Sequence, residues 1–444
     1  MAEKFRPVVL VTGANGGVGF ATCQRLILQL LEDNPSDAHP RSDNPTYSVI
    51  DAPAPPYDGL TLIMACRRRK NAEAAREDLL KTLDELVERN PTERAKRFKE
   101  ELKVDIVDLD LGSLASMFAV ARVLKERYPY ISHLIFNAGG ASFVRIDYLR
   151  VVKQLFTRGL LDLVTHPDFN VENVGETSAD GLGWVWQFNV FGHYVLARLL
   201  EPLLSSTLYP DNGRVIWTSS GEGDPKLFDL DDWQLTKTDR SYGSAKYQIQ
   251  LIAGALDRRA LNAPDAKRTR HLVSDPGVCY TKVAAVLTNV VLETFQYWLY
   301  YVARFFGSPV HTITAYRAAI ANVHLALVSL AWLTMWNPAS KATANGNSNG
   351  AANGYTNGAA HGKTAANGDD ITNGPANGKV VLDKPAATTS AYRPHVFHAH
   401  TDRWGAELVG VSEVQGWEEH EKDVEELMRR LEQTFEEARG KFGA

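Results

Sequence analysis

The chain has 444 residues, a net charge of −5 and a pI near 6.2, with 44% hydrophobic and 23% charged residues. That is globular usage with a slightly acidic balance. It excludes a basic footprint for nucleic acid and fits two or three domains, or one large α/β domain with insertions. Cys23, Cys66 and Cys279 are too few and too widely spaced for a disulfide framework or a zinc site, which points to a reducing compartment. Residues 1–6 lack the apolar run of a signal peptide.

Pro7 to Val11 has the character of a short buried strand. It runs into Thr12-Gly13-Ala14-Asn15-Gly16-Gly17-Val18-Gly19 and then a helical run from Phe20 to Leu31. Strand, glycine-rich turn and helix N-terminus together predict a phosphate cradle. Glycine lets the backbone approach a pyrophosphate, and the helix dipole favours its charge. Residues 32–58, rich in Pro, Asp and Ser, predict a surface insertion. The next strand, Leu60 to Cys66, is followed by Arg67-Arg68-Arg69-Lys70. An acid at the end of this strand would hold the 2′-hydroxyl of NAD, whereas arginine suits the 2′-phosphate of NADP. The basic run therefore predicts NADP(H), with Arg67 as first choice.

Residues 71–101 predict one charged amphipathic helix, Leu102 to Asp110 a third strand, Ser113 to Tyr128 a helix and Ile131 to Phe136 a fourth strand. Asn137-Ala138-Gly139-Gly140 lies at the carboxyl end of that strand, where open α/β sheets bind ligands. Residues 141–180 have no clear period and predict a second insertion. Trp184 to Leu200 predicts a helix containing Asn189. Arg214 to Ser220 is a fifth strand, ending in two hydroxyls.

Tyr242-Gly-Ser-Ala-Lys246 follows after a longer loop. Of the 16 tyrosines, only Tyr242 has a lysine four residues on, on the same helical face. An ammonium beside a phenol stabilises the phenolate, so the pair suits proton transfer near neutral pH. His271 to Asp275 is a sixth strand, leading to Pro276, Gly277 and Thr281. Strands alternating with helices predict a Rossmann-like, doubly wound parallel sheet with helices on both faces.

Val283 to Trp336 is apolar and aromatic. Glu293 and Arg304 bracket a run too short to span a bilayer. Either it caps a substrate cleft or it dips into a membrane interface, and the two are compatible. Residues 338–390 are low complexity, with Asn-Gly seven times between Asn345 and Gly378, and predict a flexible loop. Folded sequence resumes near Tyr392, and Ser412 to Phe442 predicts an amphipathic helix. The expected organisation is a Rossmann-type domain over 1–337 with a helical cap at about 283–336, the 338–390 loop, and a C-terminal extension over 391–444.

The ordered set Thr12-Gly-x-x-x-Gly-x-Gly, Asn137-Ala-Gly, Asn189, Ser220, Tyr242-x-x-x-Lys246 and Pro276-Gly277 resembles the short-chain dehydrogenase/reductase family over roughly residues 7 to 282. Asn189-Val-Phe-Gly192, Ser219-Ser220 with Asp224-Pro-Lys226, Ser241 to Lys246 and Ala303 to His311 are similar to the fungal 3-keto-steroid reductases of sterol biosynthesis. Two departures stand out: Phe136 replaces the first of two asparagines, and the loop from Ser220 to Tyr242 is long.

The resemblance implies Tyr242 as proton donor, Ser220 (or Ser219) on the substrate carbonyl, Lys246 on the nicotinamide ribose, and Asn189 on a relay water. It further implies NADPH contacts from Thr12, Gly13, Asn15, Gly17, Val18, Gly19, Arg67, Asp110, Asn137, Pro276, Gly277 and Thr281. The implied substrate is a 4-methyl sterol 3-ketone, the implied partners are the enzymes of sterol C-4 demethylation, and no metal is implied. The implied location is the cytosolic face of the endoplasmic reticulum or a lipid droplet, by peripheral membrane contact. Other readings are a retinol-type or other lipophilic carbonyl reductase, or a scaffold of the sterol-synthesising complex.

Overall fold

The computed structural model describes residues 5–39, 57–263, 269–280, 290–334 and 392–443. Its first part is β1 (Val8–Thr12), α1 (Gly17–Leu31), β2 (Leu60–Cys66), α2 (Arg69–Arg89), α3 (Glu93–Glu101), β3 (Leu102–Asp108), α4 (Leu114–Arg127) and β4 (His133–Phe136). Next come β5 (Phe143–Ile146), α5 (Tyr148–Thr165), β6 (Asn170–Glu172), the single turn α6 (Trp184–Trp186), α7 (Gly192–Leu204), β7 (Arg214–Thr218), α8 (Ser241–Asn262) and β8 (Arg270–Asp275). The last part is α9 (Val290–Phe305), α10 (Ala315–Ala318), α11 (Ile320–Leu327), α12 (Leu330–Thr334), β9 (His395–Thr401), β10 (Glu407–Glu413) and α13 (Glu421–Phe442).

One eight-stranded sheet has the order β10-β9-β8-β7-β4-β1-β2-β3. Neighbours are parallel except β10, which runs antiparallel to β9 at the edge. Parallel strands are covered on both faces, and β1, β2 and β7 are accordingly buried at every position. One core lies between the sheet and α4, α7, α8 and α13; the other lies between the sheet and α1, α2, α11 and α12. The strand order reverses between β1 and β4. Ligands of open α/β sheets bind at such a switch point, outside the carboxyl ends of the strands.

Several elements differ from the sequence expectations. The helix expected over 71–101 is two, because Asn90-Pro91 breaks it and Thr92 caps the second by accepting from Ala95 N at 3.1 Å. The 141–180 insertion holds the β5–β6 hairpin and α5, which is kinked at Gly159 (φ +84°). Within 283–336, α9 borders the cleft, whereas α11 is buried at every position against the sheet and α1. The helix expected from Ser412 begins at Glu421, since Ser412 pairs with Val396 in the β9–β10 hairpin. The whole 338–390 loop expectation, Thr281, and residues 40–56, 283–289 and 335–336 of the insertion and cap expectations lie outside the described residues.

Arg25 ties α1 to this C-terminal hairpin. Its guanidinium, 2% exposed, meets Asp37 at 2.5 Å and Glu407 of β10 at 2.7 Å.

Candidate active site

A cleft of about 1260 Å³ runs along the carboxyl ends of β1, β4, β7 and β8, from Arg67 and Arg68 at one end to Tyr300 at the other. A single ligand pocket is typically about 300–1,000 Å³, so this one has room for a dinucleotide and a substrate end to end.

The glycine turn fits a pyrophosphate for steric reasons. Gly13 and Gly17 have φ of +68° and +53°, which disfavour a side chain. A Cβ on Gly19 would stand 2.4 Å from Gly13 O and 2.5 Å from Asn137 Nδ2. Only glycine allows α1 to start this close to the β4 loop, with its N-terminus facing the cleft. Thr12, Gly13, Asn15, Gly17, Val18 and Asn137 all line the cleft.

Thr12 closes the floor. Its hydroxyl accepts from Asn137 N and Ala138 N, both at 3.0 Å, and donates to His193 Nε2 at 3.0 Å. Nδ1 of His193 then donates to the Asn189 carbonyl at 3.0 Å. Burial, with the Lys246 charge, pushes His193 down to about 3, so the ring is neutral as this pattern requires. Phe136 stacks on His193 at 4.6 Å, which explains an aromatic ring where the family often has asparagine.

Asn189 sits in a π turn, Gln187–Phe191, between α6 and α7. Its Nδ2 donates to Gly140 O and Val185 O, both at 2.8 Å, and its Oδ1 accepts from Gly140 N at 3.1 Å. A Cβ on Gly139 would meet Asn189 Oδ1 at 3.0 Å and Lys246 Nζ at 3.1 Å, so these two side chains converge on one glycine.

Lys246 lies 5.5 Å from the centre of the Tyr242 ring and donates to Thr218 O at 2.9 Å. Burial pushes Lys246 down to about 8, against Asp275 and Glu222. The lowering of Tyr242 expected from Lys246 is overridden. Burial pushes the phenol up, the Glu222 charge adds to this, and the nearby Ser220 hydroxyl opposes it.

Ser220 and Tyr242 both line the cleft, and Ser220 Oγ accepts from Glu222 N at 3.2 Å, whereas Ser219 Oγ is held inside, donating to Lys246 O at 2.8 Å and accepting from Gln250 at 3.0 Å.

At the far end, Arg67 and Arg68 are exposed in the cleft wall, near Asp78. Arg69 neutralises Asp108 at 3.0 Å. Asp110, the residue expected at the adenine, lies beside that end. Its Oδ1 turns back to accept from Gly112 N at 2.9 Å, and Leu109 and Leu111 line that wall.

No family model matches the chain. The "3-keto-steroid reductase" of Kluyveromyces lactis is 30% identical over 331 residues, 74% of this chain and 81% of that protein. The human "3-keto-steroid reductase/17-beta-hydroxysteroid dehydrogenase 7" is 31% identical over 324 residues, 72% of this chain and 79% of that protein. The chain belongs to the 3-keto-steroid reductase family. It is an oxidoreductase. Among solved structures, L-sorbose reductase of Gluconobacter frateurii aligns at 16% identity over 73% of this chain and 91% of its own, with a TM-score of 0.45. That match is too loose to carry argument, and the fold rests on the strand order above.

Sequence reading of this family member missed three residues around Tyr242 and Lys246. Glu172, 5% exposed on β6, accepts from Tyr242 N at 2.8 Å and from the Ser241 hydroxyl, and so caps α8. Glu222 lines the cleft, and burial pushes it up to about 7. His193 lies on α7. No local pattern announces Glu172 or Glu222, because each acts across a loop. His193 stands four residues after Asn189, a spacing that could have suggested it.

Proposed function

We propose that the chain reduces the 3-keto group of a 4-methyl sterol with NADPH, a step of sterol C-4 demethylation. The observation that carries this reading is the meeting of Ser220, Tyr242 and Lys246 in one cleft, with Lys246 Nζ 5.5 Å from the centre of the Tyr242 ring, the cleft beginning at two arginines and ending among aromatic side chains.

When bound, NADPH supplies the hydride to the carbonyl carbon. The Gly13–Gly19 turn and the α1 N-terminus take the pyrophosphate, Arg67 and Arg68 the 2′-phosphate, and Asn137, Pro276 and Gly277 the nicotinamide end. Ser220 and Tyr242 donate to the ketone oxygen, where negative charge builds. Tyr242 gives up its proton, leaving a phenolate beside the Lys246 ammonium, and Lys246 returns the proton with Asn189 holding the relay water. Phe143, Phe188 and Tyr300 line the space beyond Tyr242 and suit a lipophilic substrate.

The same reading puts the protein beside the other C-4 demethylation enzymes, on the cytosolic face of the endoplasmic reticulum or a lipid droplet. Peripheral contact is supported by Phe295, Trp298, Phe305 and Phe306, each more than half exposed on or just after α9. Leu149 and Phe156 of α5, both 84% exposed, extend that apolar surface. No helix among the described residues is long and apolar enough to cross a membrane.

Purified protein should oxidise NADPH in the presence of 3-ketosteroids, use NADH far less well, and leave retinals unreduced. Arg67→Asp should narrow the gap between the cofactors. Equal use of both by the native protein defeats the NADPH reading, and faster turnover of retinals defeats the sterol reading.

A further inference from the structure

Tyr242 is the second residue of α8 and so lies in its first turn, where backbone N–H groups have no helical carbonyl to donate to and helices fray. Arg240, just before the helix, makes no side-chain cap. Ser244 N donates to Arg240 O at 3.1 Å, which leaves the N–H groups of Ser241, Tyr242 and Gly243 to find partners outside the helix. Lys246 is a turn further in, and its ammonium is held from β7 by Thr218 O at 2.9 Å. The phenol that must be placed most closely therefore starts from the part of α8 that supports itself least.

The support comes from the 141–180 insertion. Glu172 Oε2, on β6, accepts from Tyr242 N at 2.8 Å and from the Ser241 hydroxyl as well. Opposite Glu172 in the β5–β6 register stands Phe143, whose ring centre is 6.2 Å from that of Tyr242. One cross-strand pair thus meets Tyr242 at two points, its backbone and its ring. The pair is itself braced. Asn173 N donates to Ser142 O at 2.8 Å, Asp147 N donates to Phe169 O at 2.9 Å, and the Ser142 hydroxyl donates to Glu176. Glu172 is 5% exposed, and a buried carboxylate is tolerated only where donors meet it. Both of its donors belong to Ser241 and Tyr242.

We propose that the β5–β6 hairpin sets the position of the proton donor, with Glu172 as the positioning residue and Phe143 limiting the swing of the ring. The inference rests on Tyr242 as the proton donor, given above. Because Lys246 is anchored separately, through β7, loss of Glu172 displaces the phenol and leaves the ammonium and the cofactor cleft in place. The effect therefore falls on turnover and spares cofactor binding.

The test compares Glu172→Leu, which removes the accepting oxygen, with Glu172→Gln, which keeps one, in the full-length protein. Rates are read on whichever carbonyl compound the native protein reduces, NADP⁺ affinity by calorimetry, and the fold by a thermal melt. A misplacement of about 1 Å costs up to about 100-fold in rate, so Glu172→Leu should lower kcat by at least about tenfold and change NADP⁺ affinity by less than about twofold. Glu172→Gln should come within about threefold of the native kcat, since the hydrogen bonds are kept. In a Tyr242→Phe background no phenol proton remains to be placed, and Glu172→Leu should cost less than about twofold more in single turnovers. A native kcat in Glu172→Leu overturns the proposal. So do equal losses in Glu172→Leu and Glu172→Gln, a loss of NADP⁺ affinity as large as the loss in kcat, or the full loss repeated in the Tyr242→Phe background. Should Glu172→Leu fail to fold, Glu172→Asp draws the oxygen back by a methylene and keeps the charge. Its kcat should fall while NADP⁺ affinity holds, and a native kcat there overturns the proposal. A native protein that reduces no carbonyl compound, or a Tyr242→Phe variant with the native rate, removes the proton-donor premise and the proposal with it. Failure with ketosteroids alone overturns the sterol reading and leaves the hairpin's role standing.

Discussion

The hydroxyl of Thr12 holds together three segments far apart in sequence: the glycine turn, the Asn137-Ala138 backbone and, through His193, the π turn at Asn189. Thr12→Val keeps the shape but leaves Ala138 N without its acceptor and His193 Nε2 without its donor, while Asn137 N keeps the Ile135 carbonyl, at a cost of about 1–3 kcal/mol. Thr12→Ser should recover most of it, and denaturant unfolding of the two variants checks this. At the reacting end, Tyr242→Phe should lower kcat by more than about tenfold, over 1.4 kcal/mol, and leave NADPH binding nearly intact. A smaller loss, measured in single turnovers, would assign the proton to another group. Tyr242 and Lys246 were legible because the family motif is local. The choice of Ser220 was not, since it depends on Gln250 and the Lys246 carbonyl holding Ser219 inside.

Among elements, α9 faces two ways. Tyr300, Ala303 and Arg304 are turned inward, while Phe295, Trp298 and Phe305 face out. Changing Trp298, Tyr301 and Phe305 to Ser should therefore move protein from the membrane to the soluble fraction and raise KM for membrane-held sterol, with little change in melting temperature. A lowered melting temperature with an unchanged membrane fraction would make α9 a structural cap only. The parallel strands could be read from the sequence because β1 and β2 are unbroken apolar runs. The β9 strand could not. It alternates histidines with apolar residues, His395-Val-Phe-His-Ala-His-Thr401, and its polar positions find partners only after the sheet has formed. The short β5 and β6 strands were hidden for a related reason: Glu172 is buried only because α8 needs a cap there.

The whole molecule buries an unusual set of neutral imidazoles. Burial pushes His193 down to about 3, His271, His311 and His400 down to about 4, and His133 well below its ordinary value. Each folded-state value lies below the unfolded one near 6.5, so the unfolded chain binds protons that the folded chain refuses. Their contribution is present above pH 6.5 and lost as pH falls towards each folded value, at up to about 1.4 kcal/mol per group per pH unit. The denaturation midpoint should drop between about pH 6.5 and 5, the five rings outweighing Glu222, which burial raises to about 7 and which acts in the opposite sense. A flat midpoint over that window would mean that these rings are protonated in the fold. The late return of the chain to its sheet also governs how the protein is made. His395 follows Asp275 by 120 positions of chain, and β8 is an open edge until β9 arrives. At roughly 5–20 residues per second, ribosomes need roughly 6–24 seconds to cover that distance. Throughout that interval a nascent chain carries every motif residue of the reductase site, yet presents an unpaired strand edge, the kind that invites misassembly. A premature stop after Gly277 and before His395 would leave it in that condition permanently.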